Sequence, residues 1–134
     1  MRTFTLEMPP GTALISANNR LNRYARNDLT QDIKAKVAAI ARGIPPLGRS
    51  DVTVEYLSPP RLKRDRHPFA SGVITDADNM APTGKALVDG LVKCGVFPTD
   101  TKRCVRQVTY RLADETHPRG LLRVTITEVP GDPP

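Results

Sequence analysis

Asp76 and Asp78 stand two apart in the run from Ile74 to Asn79. In an extended segment side chains at i and i+2 project on one side, so the two carboxylates would share one divalent cation. A hard ion such as Mg2+ prefers oxygen ligands and keeps several waters, which leaves positions for a phosphate oxygen and an attacking water. Phosphodiester hydrolysis requires both. The competing reading is structural: Asp78 or Asn79 caps the helix that follows, because Asx residues are favoured at helix starts, and Asp76 is solvated. A calcium loop of the EF-hand kind is excluded, since Met80 and Ala81 occupy the positions that need Asx and Gly.

Lys85 and Asp89 lie four apart, a spacing that makes a surface ion pair on a helix. The alternative is that Lys85 reaches a phosphate and stabilises the negative charge that develops there. Asp100 follows the turn at Gly95 and, taken alone, reads as a turn residue. His67 and His117 each precede proline and read as solvated. Cys94 and Cys104 lack the spacing of a zinc site and read as reduced thiols. No Ser/His/Asp or Cys/His arrangement for acyl transfer and no glycine-rich phosphate loop is present.

Twenty Lys and Arg against fourteen Asp and Glu leave a formal charge of +6, which favours a polyanionic partner, with nucleic acid the leading candidate. The cations cluster in two places, Ala17 to Asn27 and Arg61 to His67. No apolar run approaches the ~20 residues that cross a bilayer. The segment from Met1 to Pro9 has no signal core, so the expected compartment is the cytoplasm.

The elements that must position these residues follow from periodicity. Thr3 to Met8 alternates as a first strand stopped by Pro9, Pro10 and Gly11. Leu29, Ile33, Val37 and Ile40 recur at helical spacing, with Gly43 as the expected C-cap and Pro45 beyond it. Val52, Val54 and Tyr56 alternate as a second strand, and Gly72 to Thr75 is a short one delivering the acidic pair. Pro82 opens a second helix to Lys93, ending at Gly95. Val105 to Leu112 and Leu121 to Val129 alternate, and the polar stretch from Ala113 to Gly120 suits a hairpin loop between them. This order predicts an α+β fold: a single mixed or mainly antiparallel sheet with two helices packed on it. One domain spans 1–134, with 130–134 a loose tail, because a chain of 134 residues suffices for one modest core.

The motifs in their order resemble the RusA family of Holliday junction resolvases. They are N-N-R at Asn18, Asn19 and Arg20, D-x-D-N from Asp76 to Asn79, K-x-x-x-D-G-L from Lys85 to Leu91, G-V-F-P-T-D from Gly95 to Asp100, and a closing V-T-I-T-E from Val124 to Glu128. The likeness runs over almost the whole chain. It implies a RusA-like fold and a homodimer with an active site in each subunit. In that site Asp76, Asp78 and Asp100 match the family's metal-binding carboxylates and Lys85 its catalytic lysine, with Asp89, Asn79 and Thr99 in support. The activity implied is Mg2+-dependent nicking of opposing strands at a four-way junction, with Mn2+ able to substitute and no small-molecule cofactor.

Phosphate contacts are expected from Arg20, Arg23, Lys63, Arg64, Arg66, Lys102 and Arg103. A bacterial or phage-infected bacterial cell is the setting the resemblance suggests. The alternatives are a branched-DNA-binding relative with weakened or lost catalysis and a non-enzymatic nucleic-acid-binding accessory protein. Three departures matter: Thr99 replaces the first of two consecutive aspartates, and Val73, Ile74 and Thr75 replace arginines before the D-x-D. The spacing from Asp78 to Lys85 is also longer, holding Pro82 to Gly84. Thr99 is expected to hydrogen-bond a ligating carboxylate.

Overall fold

A computed structural model describes residues 2–15, 22–60 and 77–130. Among these residues six regular elements follow in order: strand β1 (Thr3–Glu7), helix α1 (Arg23–Ile40), strand β2 (Ser50–Leu57), helix α2 (Ala81–Lys93) and strands β3 (Val105–Leu112) and β4 (Leu121–Glu128). A 3-10 turn, Ala77–Met80, leads into α2. The strands form one mixed sheet in the order β1-β4-β2-β3. β4 is antiparallel to both β1 and β2, and β2 is parallel to β3. The α+β class with one mixed sheet and two helices is the one that the periodicity predicts.

The hairpin expected between β3 and β4 does not form, because β2 lies between them. Alternation tells which face of a strand is apolar but not which strand is its neighbour. Here the connection crosses the end of β2 and is tied to it: Ala113 N–H donates to the Tyr56 carbonyl at 2.9 Å and His117 N–H to that of Ser58 at 3.1 Å. β2 is thus paired on both sides, consistent with the full burial of Val52 and Val54. The parallel β2/β3 pair requires a long crossover, and that crossover carries α2.

α1 begins six residues before its expected start at Leu29, because Asn22 caps it, its side-chain oxygen accepting from Ala25 N–H at 2.8 Å. Its other end is not made by Gly43. The helix closes at Ala41, whose N–H donates to the Val37 carbonyl at 2.9 Å, and among the described residues the glycines with positive φ are Gly11, Gly95 and Gly120.

One face of the sheet packs Val52, Val54, Leu122, Val124 and Ile126 against Ile33 and Val37 of α1 and Leu87 and Leu91 of α2. The two helices meet at Gly90, where a Cβ would fall 2.9 Å from the Lys34 carbonyl oxygen and into the Val37 side chain. On the opposite face the register lines up Glu7, Arg123, Glu55 and Arg111 across all four strands, linked through Arg123–Glu7 at 3.3 Å, Arg123–Glu55 at 3.0 Å and Arg111–Glu55 at 3.1 Å. Glu128 at the end of β4 accepts from Arg2 Nε at 3.0 Å, Arg2 Nη2 at 2.8 Å and Gly48 N–H at 3.0 Å. These bonds hold its carboxyl down to about 2, with Arg2 the main cause.

Candidate active site

The chemistry-bearing residues gather around α2. Asp78 is exposed in the 3-10 turn, and Met80, fully buried, anchors that turn to the core. The extended geometry predicted for the D-x-D pair therefore does not reach Asp78. The capping reading fails as well: the N-cap of α2 is Met80, without a side-chain cap bond, because the 3-10 turn runs directly into the helix. Asp76 lies outside the described residues, as do Asn18, Asn19, Arg20, Lys63, Arg64, Arg66 and the expected strand 72–75.

Thr83 in the first turn of α2 is buried and bonds the Ile15 backbone twice: its hydroxyl donates to the Ile15 carbonyl and accepts from the Ile15 N–H, both at 2.9 Å. This pins the chain three residues before Asn18 to the end of α2 nearest Asp78. The next residue, Gly84, has the Tyr110 ring of β3 directly against its backbone, with no room for a Cβ. Tyr110 is half-buried, and burial raises the pKa of its hydroxyl.

Lys85 is the centre of the cluster. Its ammonium donates to the Asp100 carboxylate and lies 3.2 Å from Asp89 Oδ1. The predicted pair with Asp89 forms, and Asp100, fifteen residues further on, joins it. That return is made by the turn at Gly95, whose φ of 88° is in the left-handed region that glycine adopts without a Cβ penalty. Fully buried Phe97 then fixes the segment to the core.

The hydrogen bond from Lys85 holds the Asp100 carboxyl below the usual carboxylate range, and the bonds to Asp100 and then Asp89 raise the Lys85 pKa. Lys85 is 63% exposed and Asp100 42%, so the cluster faces solvent and solvent screens it. A cavity of about 300 Å3 between α2 and β3 is bounded by Gly84, Lys85, Val88, Asp100 and Tyr110, among others.

Thr99 does not bond Asp100. Its hydroxyl pairs with that of Thr101 at 2.9 Å and lies 3.7 Å from Cys104 Sγ, because the turn aims it along the chain towards β3. Lys102 and Arg103 are exposed in the turn before β3, and Arg23 stands in the first turn of α1 with its guanidinium 5.6 Å from the Tyr24 ring centre. Among the described residues no three His, Cys, Asp or Glu side chains are grouped to hold a metal ion. No helix among them is long and apolar enough to cross a membrane.

Sequence reasoning missed Thr83, Gly84 and Tyr110. Gly84 carried a signal, since a glycine inside a helical pattern often marks a close approach. Thr83 and Tyr110 carried none, because their partners are remote in sequence. No protein-family model matches the chain, and no curated protein matches it.

Proposed function

We propose that the chain is a Mg2+-dependent endodeoxyribonuclease that resolves four-way DNA junctions by paired symmetric nicks, acting as a homodimer of the RusA type. The observation that carries this reading is the meeting of Lys85, Asp89 and Asp100 at the surface of α2, the helix into which the turn bearing Asp78 runs. Two of the short motifs behind the resemblance thereby join in space. Side chains on an α-helix tilt towards its N-terminus, so Lys85 and Asp89 lean towards the Asp78 turn.

The donor chemistry fits a hard cation: Asp78 and Asp100 offer accessible carboxylate oxygens, and the ammonium on Asp100 already answers its charge with a cation. Asp76, Asp78 and Asp100 would hold the ion, which supplies an activated water and polarises the phosphodiester. Lys85 would bring a positive charge to the scissile phosphate and stabilise the charge developing on it. The basic residues flanking the cluster hold the DNA backbone, neutralising the repulsion that the carboxylates alone would impose. A two-fold dimer matches a junction that is itself nearly two-fold, so equivalent sites face equivalent strands.

A second reading, a junction-binding protein that does not cut, draws support from Thr99, which stands where the resembling family has an aspartate and whose hydroxyl is engaged by Thr101. One experiment separates the two: incubation of the chain with an immobile four-way junction, a mobile one and a linear duplex in Mg2+, Mn2+ and EDTA. Symmetric metal-dependent nicks in the junctions only are the expected result. Tight binding with no nick in any metal selects the second reading.

A further inference from the structure

The cations of the sheet and of the residue before it are taken up by carboxylates: Arg2 by Glu128, Arg106 by Asp51, Arg111 by Glu55, and Arg123 by Glu7 and Glu55. Beside Asp100 the balance differs. A second cavity, of about 460 Å3, shares Asp100 with the first and is lined by Lys34 of α1, Asp89, Val92 and Lys93 of α2, and Pro98 and Thr99. Among the described residues neither Lys34 nor Lys93 is in an ion pair. We propose that Lys34 and Lys93 form a phosphate seat, taking a nucleic-acid backbone phosphate next to the one that reacts at Asp100. The seat rests on the nuclease reading for its position in the reaction, but its chemistry is that of phosphate binding alone.

Three features make the pair a seat and not two unrelated surface lysines. The first is spacing. Gly90 brings the backbone of α2 against that of Lys34, and Lys93 is one turn further along α2, so close packing of the helices fixes the distance between the two Cα atoms. Lys34 is half-buried and lines the cavity, a setting in which a lysine packs its aliphatic stem and keeps its ammonium in water.

The second is charge. Asp89 and Asp100 bring two carboxylates to the same cavity, but Lys85 bonds both, so with Lys34 and Lys93 counted the positive charges exceed the negative ones. The third is the end of α2. Its last carbonyls would repel an anion if bare, yet those of Gly90, Leu91 and Val92 accept N–H groups from Cys94 at 3.0 Å, Val96 at 3.0 Å and Gly95 at 3.1 Å.

Point-charge ammonium groups without a planar fork suit a phosphate approached from several directions. Lys102 and Arg103, exposed in the turn after Asp100, extend the positive rim, which favours a chain of phosphates over a small isolated anion.

The test is binding of an immobile four-way junction in EDTA, where nothing is cut, followed by anisotropy over a range of KCl concentrations. The proteins are wild type, Lys34→Gln, Lys93→Gln, the double variant, and Lys36→Gln, whose lysine is in an ion pair with Asp32 at 2.9 Å. Each seat lysine removed should lower the slope of log Kobs against log salt by about 0.9, and the double variant by about 1.8. Lys36→Gln should leave it unchanged. The pair Lys34→Arg and Lys93→Arg should keep the wild-type slope, separating lost charge from a disturbed fold. A double Gln variant with the wild-type slope overturns the seat. Wild type that binds the junction but cuts in no metal refutes the nuclease reading and leaves the slopes to decide the seat, whereas wild type that fails to bind refutes both.

Discussion

Replacing Gly90 by alanine sets helix propensity against packing, and the structure gives the winner. In the interior of a helix alanine is better than glycine by about 1 kcal/mol. At position 90, however, the added Cβ would stand 2.9 Å from the Lys34 carbonyl oxygen and 3.2 Å from its Cα, and would run into the Val37 side chain. Val37 is fully buried, so its methyl has nowhere to swing, and the Lys34 atoms are backbone. Only a shift of α1 away from α2 relieves the contact, and overpacking of this kind costs about 1 to 3 kcal/mol. With backbone involved the upper part of that range applies, leaving a net loss of about 1 to 2 kcal/mol.

For a domain of this length that loss lowers Tm by roughly 3 to 8 °C. Gly43 is the control, since a Cβ there meets nothing within 4 Å and its φ is not positive. Gly43→Ala should stabilise by about 0.4 to 1 kcal/mol through the unfolded chain. Thermal and urea unfolding of both variants measure the difference. Gly90→Ala at least as stable as wild type would refute the close helix approach, and with it the spacing that sets the Lys34/Lys93 cavity.

Other predictions follow from the ion pairs. Lys85→Gln removes the main cause of the depressed Asp100 pKa, so the carboxyl should titrate higher than in wild type when followed by carbon NMR; an unchanged value would mean that the pair does not persist in solution. Glu128 has a folded pKa of about 2 against an ordinary 4.5, so its contribution is fully present above about 4.5 and lost as pH falls towards 2. Glu128→Gln should accordingly be less stable than wild type at neutral pH, with a flatter decline over that window in urea midpoints, and identical pH profiles would count against the Arg2 clamp. Gly84→Ala should force the Tyr110 ring aside and destabilise, whereas Gly84→Ala on a Tyr110→Ala background should cost much less, read as the coupling energy of a double-mutant cycle.

Much of the architecture was legible in the sequence because each element announced itself locally. The i, i+3, i+4 apolar stripe of Ile33 and Val37 marked α1, and alternation in Val52, Val54 and Tyr56 marked β2. Pairing was not legible: the same alternation in β3 and β4 suits a hairpin or two strands separated by a third, and the difference lies in hydrogen bonds to β2 that no local pattern encodes. The start of α1 was missed because the Asn22 cap lies in a polar stretch without apolar periodicity.

At the site, the Lys85–Asp89 pair could be read from spacing alone. The arrival of Asp100 depends on the Gly95 turn and the burial of Phe97, a three-dimensional fact suggested beforehand only by resemblance. Thr83 and Tyr110 act through residues 68 and 26 positions away in sequence, Ile15 and Gly84, and have no signature of their own.

The most direct test of the central claim compares wild type, Asp78→Asn and Asp100→Asn on an immobile four-way junction in Mg2+, at protein concentrations that saturate binding for each. The account predicts that both variants still bind the junction and that in EDTA, where no cation offsets the carboxylates, they bind it at least as tightly as wild type, having lost a repelling charge. It also predicts that they nick it at least about a hundredfold more slowly, the cost of removing one electrostatic group from a reacting centre. Cutting at the wild-type rate by either variant would contradict the assignment of these carboxylates to the reaction.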